Sequence, residues 1–262
     1  MNLGAVAQTR VVAALGRRSL SVQFRKAQLL MPTFVLPLML LAVIASGTSA
    51  ARDLPGFPTV ASYISFIVPG TIVQGALLAG LTTGTALAGD IEGGFFDRLL
   101  AAPVPRTSLV LGRLAGTVVL ALLQTAFFLV VALPFGARYP GGLPAVVAVL
   151  GLTALTAVGI GGIAAAIALR TGSLSLLQSI FPFIFVLLFT TPAFFPRELL
   201  TPALHDIAVF NPLTYIVEAV RGLLSGDAAQ GHPWPGFGAA VGLAVLTTAL
   251  ATFALQERLR RT

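Results

Sequence analysis

The sequence predicts an all-α integral membrane protein of six transmembrane helices with both termini on the cytoplasmic side. An interfacial helix precedes the spans, a short cytoplasmic helix joins the second and third, and short external re-entrant or interfacial helices join the fifth and sixth. Three observations carry this fold class. Of 262 residues, 56% are hydrophobic and 10% charged, against about 45–50% and about 25% in a soluble domain. The mean hydropathy is +0.95, and a water-soluble fold cannot hide that much apolar surface. The sixteen basic residues also fall unevenly between the connections.

Residues 1–28 read as a cytoplasmic N-terminal segment containing an amphipathic helix that lies along the headgroups. Arg10 and Arg17 share one face of a helical wheel, and Val11, Leu15 and Val22 share another. Arg17-Arg18-Ser19-Leu20 resembles a twin-arginine signal, but Arg25 and Lys26 delay the apolar region and five further spans follow, so no cleavage is expected. Residues 29–255 read as one six-helix transmembrane domain. Its apolar stretches, each long enough for a roughly 30 Å hydrocarbon core, run Leu29–Ser46, Ser62–Ala88, Leu109–Leu133, Leu143–Leu169, Ser173–Phe195 and Phe237–Leu255. Pro32, Pro37, Pro69, Pro182 and Pro192 within them read as kinks, because neighbouring helices re-satisfy freed backbone groups. Residues 256–262 form a basic cytoplasmic tail.

Orientation follows from the Lys and Arg count. Twelve of the sixteen fall on one side: Arg10, Arg17, Arg18, Arg25, Lys26, Arg98, Arg106, Arg113, Arg170, Arg258, Arg260 and Arg261. Arg52, Arg138, Arg197 and Arg221 fall on the other. The long fifth connection contains a helix with Asn211 as its cap, Pro212 at its first position and Gly226 at its end. Leu213, Ile216, Val217, Val220 and Leu224 form its apolar face, and Glu218 and Arg221 pair on the opposite one. It is expected on the outer side, lying flat or dipping in.

Several chemistries are excluded. There is no cysteine, so no disulfide, thiolate ligand or thiol nucleophile. His205 and His232 read as ordinary loop histidines, too few for a metal site. No span holds Asp, Glu, Lys or His in its interior, where ion-coupled transporters carry ionisable groups and an intramembrane enzyme would need a base. Gln74, Thr82, Thr83, Gln124, Gln178 and Thr190 read as interhelical hydrogen-bonding residues. A pI of about 11.2 does not signal nucleic-acid binding, since the basic residues sit between apolar spans. The only lysine, Lys26, stands in Arg-Lys-Ala and not in a phosphate-cradling Gly-Lys-Ser/Thr. Any uphill movement must draw its energy from another polypeptide.

Gly89–Thr107 is the place to receive it. Asp90, Glu92, Asp97, Arg98 and Arg106 concentrate charge in nineteen residues. Ile91, Phe95, Leu99 and Leu100 fall near one helical face, Glu92, Asp97 and Arg98 project elsewhere, Gly93-Gly94 permits a bend, and Pro103 and Pro105 stop the helix. Such a helix can dock in a partner's groove with Phe95 and Phe96 as aromatic anchors.

The pattern Glu92-x-Gly94-x-x-Asp97-Arg98-Leu99-Leu100-x-x-Pro103-Val104-x-Arg106 closely resembles the signature after the second helix of ABC-2 type permeases, especially the drug- and lipid-exporting daunorubicin-resistance branch. Asn211-Pro212-Leu213-Thr214-Tyr215-Ile216-Val217-Glu218-Ala219-Val220-Arg221-Gly222-Leu223 resembles that family's second signature, before the sixth helix. The resemblance implies a half-transporter. Two permease chains, as a homodimer or heterodimer, form the pathway, and two ABC ATPase subunits bind from the cytoplasm, carrying ATP and Mg; no cofactor is expected on this chain. It assigns ATPase coupling to Glu92, Phe95, Phe96, Asp97, Arg98, Leu99 and Arg106. It assigns an external gate helix to Asn211, Pro212, Tyr215, Glu218 and Arg221. The expected protein is therefore a multi-pass permease of a bacterial cytoplasmic membrane, in contact with lipid and a hydrophobic substrate and not with nucleic acid. It exports a drug, antibiotic or lipid. A polysaccharide or glycolipid exporter is the alternative, but carbohydrate slides along Trp and Tyr faces, and one Trp and three Tyr stand here against eighteen Phe. A membrane enzyme or scaffold is the reading from another class.

Overall fold

The computed structural model describes residues 3–25, 27–47, 62–101 and 106–261. Lys26, Arg52, Pro103 and Pro105, which entered the charge count and the helix-stop expectation, lie outside them. Among the described residues ten α-helices follow in order: α1 (Leu3–Arg25), α2 (Ala27–Gly47), α3 (Tyr63–Glu92), α4 (Phe95–Leu100), α5 (Thr107–Ala132), α6 (Gly142–Thr171), α7 (Leu174–Phe189), α8 (Pro202–Phe210), α9 (Pro212–Ser225) and α10 (Pro233–Arg261). No strand occurs among the described residues.

Among the described residues four helices are long and apolar enough to cross a membrane: α3, α5 with its continuation to Phe135, α6, and α10. The pair α8 and α9 passes the same test together, bent by 89°. The first and fifth expected spans appear as the shorter apolar helices α2 and α7. The expected fifth span ran to Phe195, whereas α7 ends at Phe189. Its sixteen residues reach about 24 Å. The cause is local. Pro192 has no N–H to continue the ladder, and the Thr190 and Thr191 hydroxyls bond back to Leu187 O and Leu188 O, satisfying two of the last carbonyls. Pro192 thus follows the helix end, whereas Pro32, Pro37, Pro69 and Pro182 lie inside continuous helices.

α3 is the central pillar and packs against α2, α5, α6, α7 and α9. Small residues set these distances. A Cβ at Gly80 would lie 2.7 Å from Ile160 Cβ, and one at Gly84 would lie 2.5 Å from Ala164 Cβ, so the α3 and α6 backbones meet where no side chain intervenes. The opposite side of α6 receives α10, with Gly159 against Leu243 and Gly162 against Thr247. α2 reaches α5 through Phe34, whose ring packs edge-on to Phe127 at 5.2 Å.

Polar side chains stitch the same contacts. Thr83 bonds Thr117, Thr125 bonds Thr153 at 3.0 Å, and Gln124 donates to Thr33 O. Thr82 Oγ1 donates to Ala79 O in its own helix, and Gln178 is exposed.

The first helix is packed onto the bundle. α1 packs against α5, where a Cβ at Gly16 would meet Gly112 O at 3.2 Å and one at Gly112 would meet Leu15 Cβ at 2.6 Å. Arg10 and Arg17 are exposed and Val11 and Leu15 half-buried, as the wheel arrangement expects, while the Val22 side chain lies outside the described set.

Candidate functional site

Two clusters occupy opposite ends of the helix bundle. The first surrounds the α3–α4 junction. α3 extends a turn beyond its expected end, so Asp90 and Glu92 belong to a helix and not to a loop. Asp90 Oδ2 accepts from Arg113 Nη2 of α5 at 2.6 Å and from Arg18 Nη1 of α1 at 3.2 Å. The Arg18 guanidinium also covers the Phe95 ring, 3.7 Å from its centroid. Glu92 Oε1 accepts the Leu174 N–H at 2.7 Å and thereby caps α7. Gly94, at φ +68, turns the chain into α4 in a conformation that favours glycine.

That turn breaks the helical phase, and with it one expectation. Phe96, assigned as an anchor for a partner's groove, is 1% exposed. It lies beneath Arg258 of α10, at 5.8 Å. Arg258 in turn donates to Leu169 O at the end of α6. Ile91, Phe95, Leu99 and Leu100 are half-buried, while Glu92, Asp97, Arg98 and Arg106 are exposed. α4 therefore turns a charged face outward and inserts one aromatic into its own protein. Arg18, Asp90, Arg113 and Arg258 went unassigned in the sequence. Their partners stand 72, 23 and 89 residues away, and no local periodicity marks such pairs.

The second cluster holds the residues assigned to a gate. Asn211 Oδ1 accepts the Leu213 N–H at 2.9 Å, the cap expected from Asn-Pro. Its Nδ2 donates to Leu187 O and Thr190 Oγ1, joining the α8–α9 corner to the end of α7. Pro212 takes the first helical position, and Gly226, at φ +69, ends the helix. The Tyr215 hydroxyl donates to Val209 O at 2.8 Å. Glu218 pairs with Arg197 at 3.2 Å, and the Arg197 guanidinium sits 5.9 Å from the Tyr215 ring centroid.

Arg221 departs from expectation. The sequence placed it on the polar face of a helix lying flat or dipping in, but it is 5% exposed. Its Nη2 donates to Pro192 O at 2.6 Å and Ala193 O at 3.2 Å, the carbonyls left free past α7, and its guanidinium stacks on Phe66 at 3.9 Å. The apolar face Leu213, Ile216, Val217, Val220 and Leu224 is buried as expected, yet Thr214, Ala219 and Gly222 are buried too. α9 is enclosed because glycines admit its backbone. A Cβ at Gly231 would fall 2.0 Å from Glu218 O, and one at Gly236 would fall 2.3 Å from Ala219 Cβ. Nearby, Tyr139 donates to Leu129 O at 3.0 Å. Burial pushes its phenol up to about 12.

No group of three or more His, Asp or Glu side chains converges among the described residues. Both clusters are built from ion pairs, helix caps and side-chain bonds to backbone carbonyls.

The family model for the ABC-2 type transporter matches residues 10–224, from α1 through α9, and so includes both clusters. The chain belongs to the ABC-2 type transporter family. It is 29% identical over 216 residues to the transport permease ycf38 of Porphyra purpurea, covering 82% of this chain and 74% of that protein. The ycf38 permease of Pyropia yezoensis matches with the same identity and coverage. The daunorubicin resistance ABC transporter permease of Streptomyces coeruleorubidus is 27% identical over 172 residues, 63% of this chain and 59% of that protein. ABC-2 permeases are transport components that work with ABC ATPase partners. With its long apolar helices, this ABC-2 chain is a multi-pass membrane protein.

Proposed function

We propose that the chain is the permease subunit of an ATP-driven exporter that moves a hydrophobic or amphipathic compound, such as a drug, antibiotic or lipid, out across a bacterial cytoplasmic membrane. α2, α3, α5, α6, α7 and α10 are its six crossings, and the α4 end, with twelve of the sixteen basic residues in its connections, faces the cytoplasm. Two such chains, or this chain and a relative, enclose the path. Two separate ATPase subunits hydrolyse ATP with Mg and bind at α4.

The observation that carries this reading is the wiring of α4. Asp97 and Arg98 point outward, while the junction behind them is bonded to α1, α5 and α7 through Asp90 and Glu92. An element with a free charged face and a rigidly tied base suits the transfer of a push from another polypeptide. Phe95, Leu99 and Arg106 flank that face, and Phe96 seats the helix from within. At the other end Asn211, Pro212, Tyr215, Glu218 and Arg221 form the gate, with Arg221 holding the segment after α7 against α3. An apolar cargo suits walls whose polar side chains are mainly Thr and Gln.

The test is co-purification with the cognate ATPase and reconstitution in vesicles, with daunorubicin as probe because one relative carries it in its name. ATP turnover should rise in the presence of permease and probe. Asp97→Arg and Arg98→Asp should lower ATPase binding while membrane insertion is kept. An ATPase that ignores both reversals overturns the docking assignment. A reporter at Gly231 that reads as cytoplasmic overturns the orientation.

A further inference from the structure

α7 is thinly enclosed, with two of its sixteen residues buried. Leu177 and Leu188 are buried, but Leu176, Phe183, Val186, Leu187 and Phe189 are exposed, so one stripe holds it to α3. The seam between them is lined by Gln74, Leu77, Leu78, Ile184, Phe185 and Leu188 and is too narrow for a water molecule. Both amide atoms of Gln74 are buried in that seam without a hydrogen-bond partner. A buried amide left unbonded penalises the closed seam, so something else must hold α7 in place.

At the α4 end that role falls to α3's last turn. Glu92 Oε1 takes the Leu174 N–H at 2.7 Å, across 82 residues of sequence. Ser173 Oγ accepts the Leu176 N–H. Ile91 abuts the α6–α7 turn, where a Cβ at Gly172 would lie 3.2 Å from Ile91 Cγ2. The Glu92 carboxylate thus stands three residues before the start of α4 and directly on the start of α7.

We infer that Glu92 is a positioning residue that ties α7 to the α3–α4 junction, so that displacement of α4 is passed to α7 and opens the Gln74 seam. The inference rests on α4 being the element that receives the ATPase. A carboxylate accepting a helix-terminal N–H is a strong bond, and it is exposed, so it is accessible to breakage in a working cycle.

The chain has no cysteine, so Leu78→Cys with Ile184→Cys makes the only thiol pair across the seam. Its rate of oxidative cross-linking is read in membranes holding the full chain. Adding Glu92→Ala should slow cross-linking by about threefold or more, the scale of losing an N-cap acceptor. Glu92→Gln keeps an oxygen for the Leu174 N–H and should stay near the parent rate. Leu174→Pro removes the donor instead, at a first helical position that accommodates proline, and should reproduce Glu92→Ala; it decides the question if Glu92→Ala does not accumulate. In the ATPase complex, ATP and Mg should change the rate in the parent and not in Glu92→Ala. Parent-like cross-linking in Glu92→Ala and Leu174→Pro overturns the tether, as does a Gln variant that falls as far as Ala. Slowed cross-linking together with an ATPase indifferent to Asp97→Arg would instead keep the tether and overturn the docking reading.

Discussion

Replacing Phe96 by alanine separates a side chain that seats α4 in its own protein from one that fills a partner's groove. The ring is 1% exposed, and a buried aromatic covers about 150–250 Å². Truncating such a core Phe costs about 3–5 kcal/mol. Loss of the Arg258 contact at 5.8 Å adds about 0.5 kcal/mol. Taking 3 kcal/mol as the lower bound, local opening of α4 rises by more than about a hundredfold. Hydrogen exchange of the α4 amides in the full chain reads this directly, and the Ala101 N–H, bonded to Asp97 O, is the reporter for its last turn. Exchange should accelerate by that factor or to the unprotected limit. Asp97→Arg, on the exposed face, should leave exchange unchanged while weakening ATPase co-purification. Normal exchange in Phe96→Ala, with the ATPase lost, would refute the burial argument and return Phe96 to the partner surface.

Three further outcomes are expected. Asp90→Asn strands Arg113, whose side chain is 8% exposed. Breaking a fully buried pair costs about 3–5 kcal/mol, which the partial exposure of Asp90 and Arg18 reduces to about 2 kcal/mol. Asp90→Asn combined with Arg113→Gln should cost less than the sum of the singles in denaturation, and additivity would show the pair to be uncoupled. Gly84→Ala, with its Cβ 2.5 Å from Ala164 Cβ, should destabilise by about 1–3 kcal/mol. Gly89→Ala, which meets nothing within 4 Å, should not; equal melting of the two would sink the close-packing account. Tyr139 is raised from 10.0 to about 12 by burial. The folded state thus holds the phenol's proton more tightly than the unfolded chain, and the associated stability is intact below pH 10.0 and lost as pH rises towards about 12. Tyr139→Phe should flatten that alkaline loss and remove the late phenolate absorbance; an unchanged titration would count against burial as the cause.

The sequence by itself determined the all-helical membrane class, most helix positions and the two segments on which the polar chemistry sits. Those features are written locally. Apolar runs match the bilayer, Asn211-Pro212 and Gly226 bracket α9, and Gly93-Gly94 interrupts the chain before α4. Only the tertiary structure decided what those segments touch. Asp90 meets Arg18 and Arg113, Glu92 meets Leu174, and Arg221 turns from a presumed polar face onto Pro192 O and Ala193 O. Phe96 went inward because a left-handed Gly94 resets the phase of a six-residue helix, which a continuous helical wheel does not register. α7 stopped at Phe189 because Pro192 cannot continue the ladder, the Thr190 and Thr191 hydroxyls and the Asn211 amide take its last carbonyls, and Arg221 takes the two carbonyls past it; hydropathy cannot count such donors. Hydrophobic length is a sum over neighbours in sequence. Charge pairing and backbone satisfaction depend on groups tens of residues apart, and these meet only where glycines let the helices approach.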